Sequence, residues 1–462
     1  MHRPVTSLFC LALAVAAAAQ SADFPVFEPG KYLPNEYKAR RQKLMEQMGP
    51  GSIGVFFTNP EMVRNNDVDF QFRADSDFLY LTGFDEPDAA LILVPGGVSL
   101  DGKTVTEVLF CNVSDRMSLT WLGYRMGPQN AMKLLGVGHA ESNRVFQFTL
   151  ERVAALASAT KLFTTETLAT REKTMGQMQT AFASWRLGAG LQNQSAEGQL
   201  SRMREIKSAE EVSLLKHAIN VSVKAHIEAM KATRPDMWEY QVSAIVKYVF
   251  EVNGCEYTGY PPIVGAGANS TILHYNSNRK QMKAGEIVCM DTAGEYRGYT
   301  ADITRSFPVS GKFSTEQRAI YEIVLAATDA GIAACKPGAS RGAVTSAINR
   351  AIGDGLVRLG IISAPNQIGQ YFMHGWGHGI GLDVHDPWPT ATFRPGMMFT
   401  VEPGIYIKEG SPCDPKWWNI GVRIEDNILI TETGAENLSA SCPRTVAEVE
   451  RTMAMNSAIA GG

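Results

Sequence analysis

The sequence predicts an α/β (α+β) protein with two domains, the second of which contains an internal duplication. Three observations support this class. The 462 residues are enough for two to four domains at ~150 residues each. Short apolar runs alternate with helical segments in the first part of the chain. In the second part, two helices followed by paired strands occur twice, which predicts a pseudo-twofold repeat, the alternative being a chance recurrence of common elements.

The composition is that of an ordinary globular protein. Hydrophobic residues make up 45% of the chain and charged residues 19%, which excludes a disordered or collagen-like chain. The formal net charge of −4 provides no general attraction to nucleic acid or anionic lipid. We therefore expect no nucleic-acid partner.

Residues 1–22 predict a secretory signal peptide. Arg3 provides a cationic start, an apolar run extends from Leu8 to Ala19, and small residues follow. We therefore expect export to a periplasmic or extracellular compartment, with a frayed apolar terminus or a mitochondrial presequence as the alternatives. No later window reaches ~18 consecutive apolar residues, so no membrane contact is expected once the segment is removed.

Residues 23–200 are predicted to form an N-terminal α/β domain with a structural or oligomerising role. A helix is expected from Asn35 to about Met48, and another near Gln129–Leu135. The polar segment Gln192–Gly198 predicts a linker. Apolar runs bounded by turn residues predict strands, among them Ile53–Phe57, Phe78–Leu81, Ala89–Val94 and Val105–Phe110.

Residues 201–455 are predicted to form the duplicated domain. Ser208 and Glu211 form a capping box at the start of a helix, and Ser314 and Gln317 do the same in the repeat. Each half is then expected to continue with one more helix and two strands. These elements are Met237–Val252, Ile287–Met290 and Gly298–Phe307 in the first half, and Ser340–Leu359, Met397–Val401 and Gly421–Ile430 in the second.

Four acids recur at matching positions of this repeat. Asp291 and Glu402 each end a predicted strand, and Asp302 and Glu425 each lie in the β segment that follows. Arg423 shares a strand face with Glu425 because alternate residues of a strand point the same way. Carboxylates beside apolar residues are costly to bury unless they are paired or bind metal. This predicts convergence on one site, the alternative being exposed strand edges with ordinary surface charge.

Three histidines, His374, His378 and His385, lie in the glycine-rich segment FMHGWGHGIGLDVHDPW. A lone histidine is usually a structural hydrogen-bonding residue. Three in this composition favour a functional role, because the glycines leave room for the close approach of a ligand.

Four carboxylates and one imidazole form a hard, oxygen-rich ligand set. A single divalent cation would leave surplus negative charge at close range, whereas two would neutralise it. Mn²⁺, Co²⁺, Fe²⁺ or Zn²⁺ suit such a set, and the histidine argues against Ca²⁺. Because a two-metal site activates water and stabilises a tetrahedral intermediate, the chemistry predicted is hydrolysis.

Motifs along most of the chain carry a family resemblance. Those of the second domain are His274-Tyr275, MDTAGEYRGYTADITRSFPVSGKF, FMHGWGHGIGLDVHD, TVEPGIYI and GVRIEDNILITETG. Those of the first are RRQKLMEQMGPGS, FRADSDFLYLTGFDEPDAALIL and Trp121-Leu122-Gly123. In this order they resemble the aminopeptidase P branch of the pita-bread-fold metallopeptidases. The resemblance implies an N-terminal aminopeptidase P-type domain (23–200) and a pita-bread catalytic domain (201–455).

The resemblance implies five metal ligands. Asp291 would bind one ion, His378 and Glu402 the other, and Asp302 and Glu425 would bridge both. Manganese is the first expectation for the metal, with cobalt, zinc or iron as alternatives.

It also implies roles in catalysis and substrate binding. Glu402 would orient the attacking water or take its proton, His385 would stabilise the oxyanion, and Arg423 would hold the carboxylates in place. The pocket and its proton network would include His274, His374 and Tyr406, and Trp121 would reach the site of a neighbouring subunit.

The implied activity is release of the N-terminal residue from peptides with proline at the second position, by a homo-oligomer (dimer or tetramer). The Xaa-Pro bond lacks the N–H that general peptidases recognise, so it needs a dedicated pocket. A prolidase, which cleaves only Xaa-Pro dipeptides, is the alternative enzyme, and a metal-free peptidase-like binding protein is the alternative of another class. In one departure from the resemblance, the segment between His385 and Pro395 is expected to be shorter than in typical cytosolic members, which would change the pocket rim.

Overall fold

The computed structural model describes residues 25–26, 28, 30–165 and 176–459. The predicted signal peptide, residues 1–22, lies outside the described residues. The chain divides into two compact units, with the boundary between Gln194 and Ser195. Among the helices that the structure describes, none is both long enough and apolar enough to cross a bilayer.

The first unit is an α/β domain. Its described helices are α1 (Pro34–Met48), α2 (Ser76–Thr82), α3 (Arg116–Trp121), α4 (Gly127–Leu135), α5 (Phe146–Leu156) and α6 (Gln177–Gly188). Its described strands are β1 (Ser52–Phe57), β2 (Val63–Asn65), β3 (Val68–Asp69), β4 (Ala90–Leu100), β5 (Lys103–Cys111), β6 (Ala140–Ser142), β7 (Lys161–Thr164) and β8 (Gln192–Ser195).

Within the described residues, six of these strands form one mixed sheet in the order β6-β5-β4-β1-β7-β8. β1 pairs antiparallel with β4 and parallel with β7. An aromatic cluster fills the space between the sheet and α5, where the rings of Phe57 and Phe146 meet edge to face at 5.5 Å. This unit therefore has a core of its own.

Two sequence predictions in this unit are wrong. The expected strand at Phe78–Leu81 is helix α2, because the Asp75 carboxylate caps the backbone N–H groups of Asp77 and Phe78 and Gly83 ends the helix with a left-handed backbone. The expected linker Gln192–Gly198 is strand β8 followed by the start of a helix, because the backbone N–H of Gln192 bonds to the edge of the sheet at Thr160.

The second unit is built from two similar halves. Its helices are α7 (Glu197–Glu205), α8 (Ala209–Ala232), α9 (Glu239–Val252), α10 (Thr315–Ala334), α11 (Arg341–Arg358) and α12 (Val446–Met453). Its strands are β9 (Tyr257–Thr258), β10 (Ile263–Ala266), β11 (Ile287–Asp291), β12 (Gly294–Tyr296), β13 (Tyr299–Thr300), β14 (Thr304–Pro308), β15 (Met398–Val401), β16 (Gly404–Ile407), β17 (Ile420–Arg423), β18 (Asp426–Ile430) and β19 (Ala435–Asn437).

The predicted duplication is present. Each half begins with a helix that has a reciprocal capping box, Ser208 with Glu211 at α8 and Ser314 with Gln317 at α10. A second helix follows, and then an antiparallel strand pair, β11 with β14 in the first half and β15 with β18 in the second. The α/β (α+β) class is therefore confirmed.

The two long strands predicted at Gly298–Phe307 and Gly421–Ile430 are each interrupted. The first breaks at residues 301–303, between β13 and β14, and the second at residues 424–425, between β17 and β18. Asp302 and Glu425 lie at these breaks. In a regular strand, successive side chains point to opposite faces of the sheet. At a break the backbone leaves this pattern, so the direction of each carboxylate is not fixed by the sheet.

A buried ion pair ties α1 to the sheet of the first unit, and it provides a stability test. Arg41 is fully buried, and its Nε lies 2.7 Å from Oε2 of Glu107. We expect Arg41→Met to lower the free energy of unfolding of this unit by about 3–5 kcal/mol, because it leaves the Glu107 carboxylate buried without its cation. Hydrogen exchange of β1 and β4 measures this unit separately from the other.

The matched control is Arg152→Met, which removes an exposed ion pair to Asp101. This pair should contribute less than about 1 kcal/mol. Equal loss of protection in the two variants would contradict the interpretation.

Candidate metal centre

The second unit contains a cavity of about 530 Å³ lined by acids and imidazoles, which we call the acidic cavity. Its wall includes the five predicted metal ligands together with the other predicted residues His274, His374, His385 and Arg423. The ligands are Asp291, Asp302, His378, Glu402 and Glu425. Residues from both halves of the duplicated unit therefore meet in one place.

Three of these side chains form a tight cluster. One ligand atom each of Asp302, His378 and Glu425 lies within 4.8 Å of the others. Nε2 of His378 is 3.4 Å from Oδ2 of Asp302 and 3.5 Å from Oε1 of Glu402. The atoms are close enough to share one cation, and Glu402 lies on the same side of the imidazole.

Strand geometry brings the acids of the two halves together. Asp291 is the last residue of β11, where it pairs with Thr304, and Glu402 directly follows β15. The backbone N–H of Glu425 donates to the Thr304 carbonyl at 3.1 Å, and the Thr304 hydroxyl donates to Oε2 of Glu425 at 2.7 Å. Thr304 thus joins the halves at the point where their carboxylates converge.

The glycine-rich segment runs against the end of β15. The backbone N–H of Thr400 donates to the His378 carbonyl at 2.9 Å, and that of Glu402 donates to the Trp376 carbonyl at 2.8 Å. A Cβ at Gly377 would lie 2.1 Å from the Thr400 carbonyl oxygen. Glycine is required here for the approach of two backbones, which aligns His378 with Glu402.

Asp386, Arg204 and Lys207 form a buried clamp at the base of the loop between His378 and Asp386. Asp386 closes the loop with a hydrogen bond from its N–H to the Gly379 carbonyl at 2.9 Å. Its carboxylate accepts from Nη2 of Arg204 at 2.5 Å and from Nζ of Lys207 at 3.0 Å. The clamp places the ring centroids of His378 and His385 only 4.1 Å apart. His385 therefore lies directly beside the ligand cluster.

Arg423 connects the acids to a second line of hydrogen bonds. Its guanidinium bonds to Asp291, to the Thr304 hydroxyl at 3.0 Å and to the Tyr406 hydroxyl at 2.9 Å. The Tyr406 hydroxyl also lies 2.9 Å from Nε2 of His374. Burial, together with the Arg423 charge, lowers the pKa of His374 to about 4, so this imidazole is neutral at neutral pH.

Of the two residues predicted to bind substrate, Tyr406 was expected in the pocket and Trp121 in the site of a neighbouring subunit. Tyr406 is 1% exposed and lies behind Arg423 and His374, outside the described wall of the acidic cavity. Trp121 is the last residue of α3 in the first unit and is 76% exposed.

Sequence reasoning missed Tyr260. This residue lines the acidic cavity, and its hydroxyl contacts Oδ1 of Asp291 at 2.5 Å and also Oδ1 of Asp302. It lies in the stretch GYPPIVG, which has neither an acid nor a histidine to attract attention. The one sequence feature that marks this stretch is the pair of prolines after Tyr260, which predicts a rigid segment outside a regular strand.

The electrostatics of the cluster fit divalent cations. Burial and the Glu425 carboxylate raise the pKa of Glu402 to about 8. Burial and neighbouring carboxylates also raise the pKa of Asp302 and of Glu425 well above the usual range. Oε1 of Glu425 is buried and has no hydrogen-bond partner among the described residues. Divalent cations would compensate this repulsion and the orphaned oxygen, and a hard oxygen-rich set with one imidazole suits them.

Known proteins match the chain over nearly its whole length. The family model for metallopeptidase family M24 matches residues 213–432, and that for the aminopeptidase P N-terminal domain matches residues 37–163. The Xaa-Pro aminopeptidase of Escherichia coli (strain K12) is 38% identical, over 90% of this chain and 97% of its own length. The Xaa-Pro aminopeptidase of Haemophilus influenzae is 36% identical, over 90% and 97% respectively.

A solved structure gives the same result. The proline aminopeptidase P II from Yersinia pestis is 37% identical and superposes with a TM-score of 0.83, over 92% of this chain and 100% of that one. The predicted resemblance and the pita-bread catalytic domain are confirmed by these matches. The chain therefore belongs to metallopeptidase family M24, with an aminopeptidase P N-terminal domain ahead of its catalytic domain.

Proposed function

We propose that this protein is a metal-dependent Xaa-Pro aminopeptidase, which hydrolyses the bond between the first residue of a peptide and a proline at the second position. The observation that carries the proposal is the cluster of Asp302, His378 and Glu425 inside a cavity large enough for part of a peptide. The names of the relatives support the same activity.

Two divalent cations, manganese first among them, are proposed for the cluster. Asp291 would hold one, His378 and Glu402 the other, and Asp302 and Glu425 both. Cations in this position supply Lewis acidity, which lowers the pKa of a water molecule and polarises the scissile carbonyl.

Other side chains of the cavity would take the proton of the attacking water and stabilise the negative charge that develops on the substrate. The Glu402 carboxylate would orient the attacking water and take its proton. The His385 imidazole, beside His378, would donate to the developing oxyanion. Arg423 and Tyr406 hold Asp291 and His374 in their positions through the hydrogen bonds described above.

The cavity also has an apolar side that suits a proline ring. Pro261, Ile263, Leu273 and Val384 contribute to its wall beside the acids and imidazoles. A pyrrolidine ring has no N–H to satisfy, so an apolar wall costs it nothing, whereas an ordinary amide N–H would lose its water there.

Metal removal and substrate choice together test the proposed function. We expect chelator-treated protein to be inactive, and Mn²⁺ to restore hydrolysis of an Xaa-Pro-Xaa tripeptide with about two equivalents bound, because each carboxylate pair needs a cation. Metal analysis coupled to activity on Gly-Pro and on tripeptides measures both. Activity confined to the dipeptide would favour the prolidase alternative, and full activity without metal would contradict the proposal.

The proposed role of Asp302, which would hold both cations, predicts the effect of a near-isosteric change. Asp302→Asn should lower turnover by more than roughly 100-fold, since loss of even an outer partner of a metal ligand costs 10–100-fold. The thermal midpoint of the metal-free protein should not fall, because the change removes one of several repelling carboxylates. The control is Asp354→Asn on the exposed side of α11. Turnover of the Asp302 variant equal to that of the control would overturn the role.

Export through residues 1–22 remains part of the proposal, supported by the charge and apolar pattern of that segment. We expect the N-terminus of the native protein to follow the segment 1–22, near Asp23. N-terminal sequencing measures this, and a start at Met1 would contradict export.

The proposed homo-oligomer and the reach of Trp121 into a neighbouring subunit stay predictions. Their support is the exposed apolar surface of α3 and the residue after it, where Met117, Trp121 and Leu122 are 67%, 76% and 60% exposed.

A further inference from the structure

A second cavity, which we call the side cavity, adjoins the acidic cavity in the second unit. Its volume is about 550 Å³. It lies beside the first half of α11, and its wall includes Arg341, Thr345, Asn349, Phe372, Trp376 and Trp388. The wall thus combines one cationic group, polar side chains and aromatic rings.

The two cavities share part of their walls. His374, Gly375 and Gly377 line both of them. A Cβ placed at Gly375 would meet no atom within 4 Å, so the space beside this residue is open. No side chain at position 375 separates the two cavities, and an extended chain that leaves the acidic cavity here has a place to continue.

Arg341 presents a cation to the side cavity that the protein does not neutralise. Its guanidinium carbon lies 4.6 Å from the centroid of the Trp388 ring. Within the described part of the chain, its side chain makes neither a hydrogen bond nor an ion pair. A guanidinium held over a ring can still donate from its N–H groups, and two of these can bind a carboxylate through parallel hydrogen bonds.

The aromatic support of this cation is rigid. The Trp388 ring stacks on Phe399 at 4.9 Å with an interplanar angle of 8°. Nε1 of Trp376 donates to the Thr345 hydroxyl at 2.9 Å, which fixes the neighbouring wall. The position of the Arg341 charge is therefore set before a ligand arrives, and this reduces the conformational entropy lost on binding.

We propose that the side cavity binds the part of the peptide substrate that follows the proline, and that Arg341 binds its C-terminal carboxylate. This inference rests on the proposed function and specifies its substrate class, short peptides with a free C-terminus. Trp388, in the segment between His385 and Pro395, supplies the aromatic face under Arg341.

The experiment compares Xaa-Pro peptides of three to six residues, each as the free acid and as the C-terminal amide. The quantity measured is kcat/KM of the metal-loaded enzyme for each pair. For at least one length, the wild type should prefer the free acid by on the order of tenfold, the effect of one charge-assisted interaction. Arg341→Met should remove this preference by lowering kcat/KM on the acid alone, and Arg341→Lys should keep part of it.

The matched control is Arg350→Met, which removes an exposed arginine from the same helix and should leave the ratio of acid to amide unchanged. An amide-capped peptide with a glutamate at its last position distinguishes a side-chain carboxylate from a terminal one. If it is hydrolysed like the free acids and depends on Arg341, the assignment to the C-terminus is wrong.

Two other results would overturn the inference. One is the absence of any acid preference at every length, and the other is an equal loss on acids and amides in Arg341→Met. Hydrolysis of the amides shows that the proposed function holds independently of Arg341. If the metal-loaded wild type hydrolyses no peptide of the series, the proposed function itself is wrong, and this inference with it.

Discussion

The mutual repulsion of buried carboxylates is the constraint on which the second unit depends. Asp302, Glu402 and Glu425 are crowded around His378, and burial raises the pKa of all three acids. Burying several carboxylates so close together costs free energy unless their charges are compensated. It is tolerable because two packed halves force the strands together, and because cations can take the place of the protons that the acids otherwise retain.

The duplication explains how one cavity receives acids from distant parts of the sequence. Each half supplies one acid at the end of a strand and one at a break in the following β segment, and Thr304 hydrogen-bonds across the boundary to Glu425. The strand ends place Asp291 and Glu402 by regular geometry. The breaks turn Asp302 and Glu425 by irregular geometry, and this combination lets four carboxylates point at one volume.

The sequence predicted the elements whose causes are local. Capping boxes at Ser208 and Ser314 act within four residues. The five predicted metal ligands were selected from motifs, and the structure shows that all five line one cavity. The helix at Phe78 was missed because its apolar run is as short as a strand, and only the residues at its two ends, Asp75 and Gly83, distinguish the two.

Features that depend on contacts between distant segments were not predictable in this way. The hydroxyl of Tyr260 reaches acids 31 and 42 residues away along the chain. The clamp on Asp386 comes from Arg204 and Lys207, which are 182 and 179 residues away. Neither has a periodic pattern, since a single side chain that satisfies a partner across the fold needs no repeated neighbours.

The clamp on Asp386 has a consequence for where the catalytic unit can be cut. The M24 family match begins at residue 213, after both Arg204 and Lys207. A fragment trimmed to that match would retain every proposed ligand of the metals. It would nevertheless leave the Asp386 carboxylate buried without either of its two cations. Asp386 closes the loop that carries His385 and follows His378. A fragment of this unit should therefore begin no later than α7, so that it includes both Arg204 and Lys207. A shorter fragment would keep all the acids of the cavity, but the loop that carries the histidines would no longer be held in position.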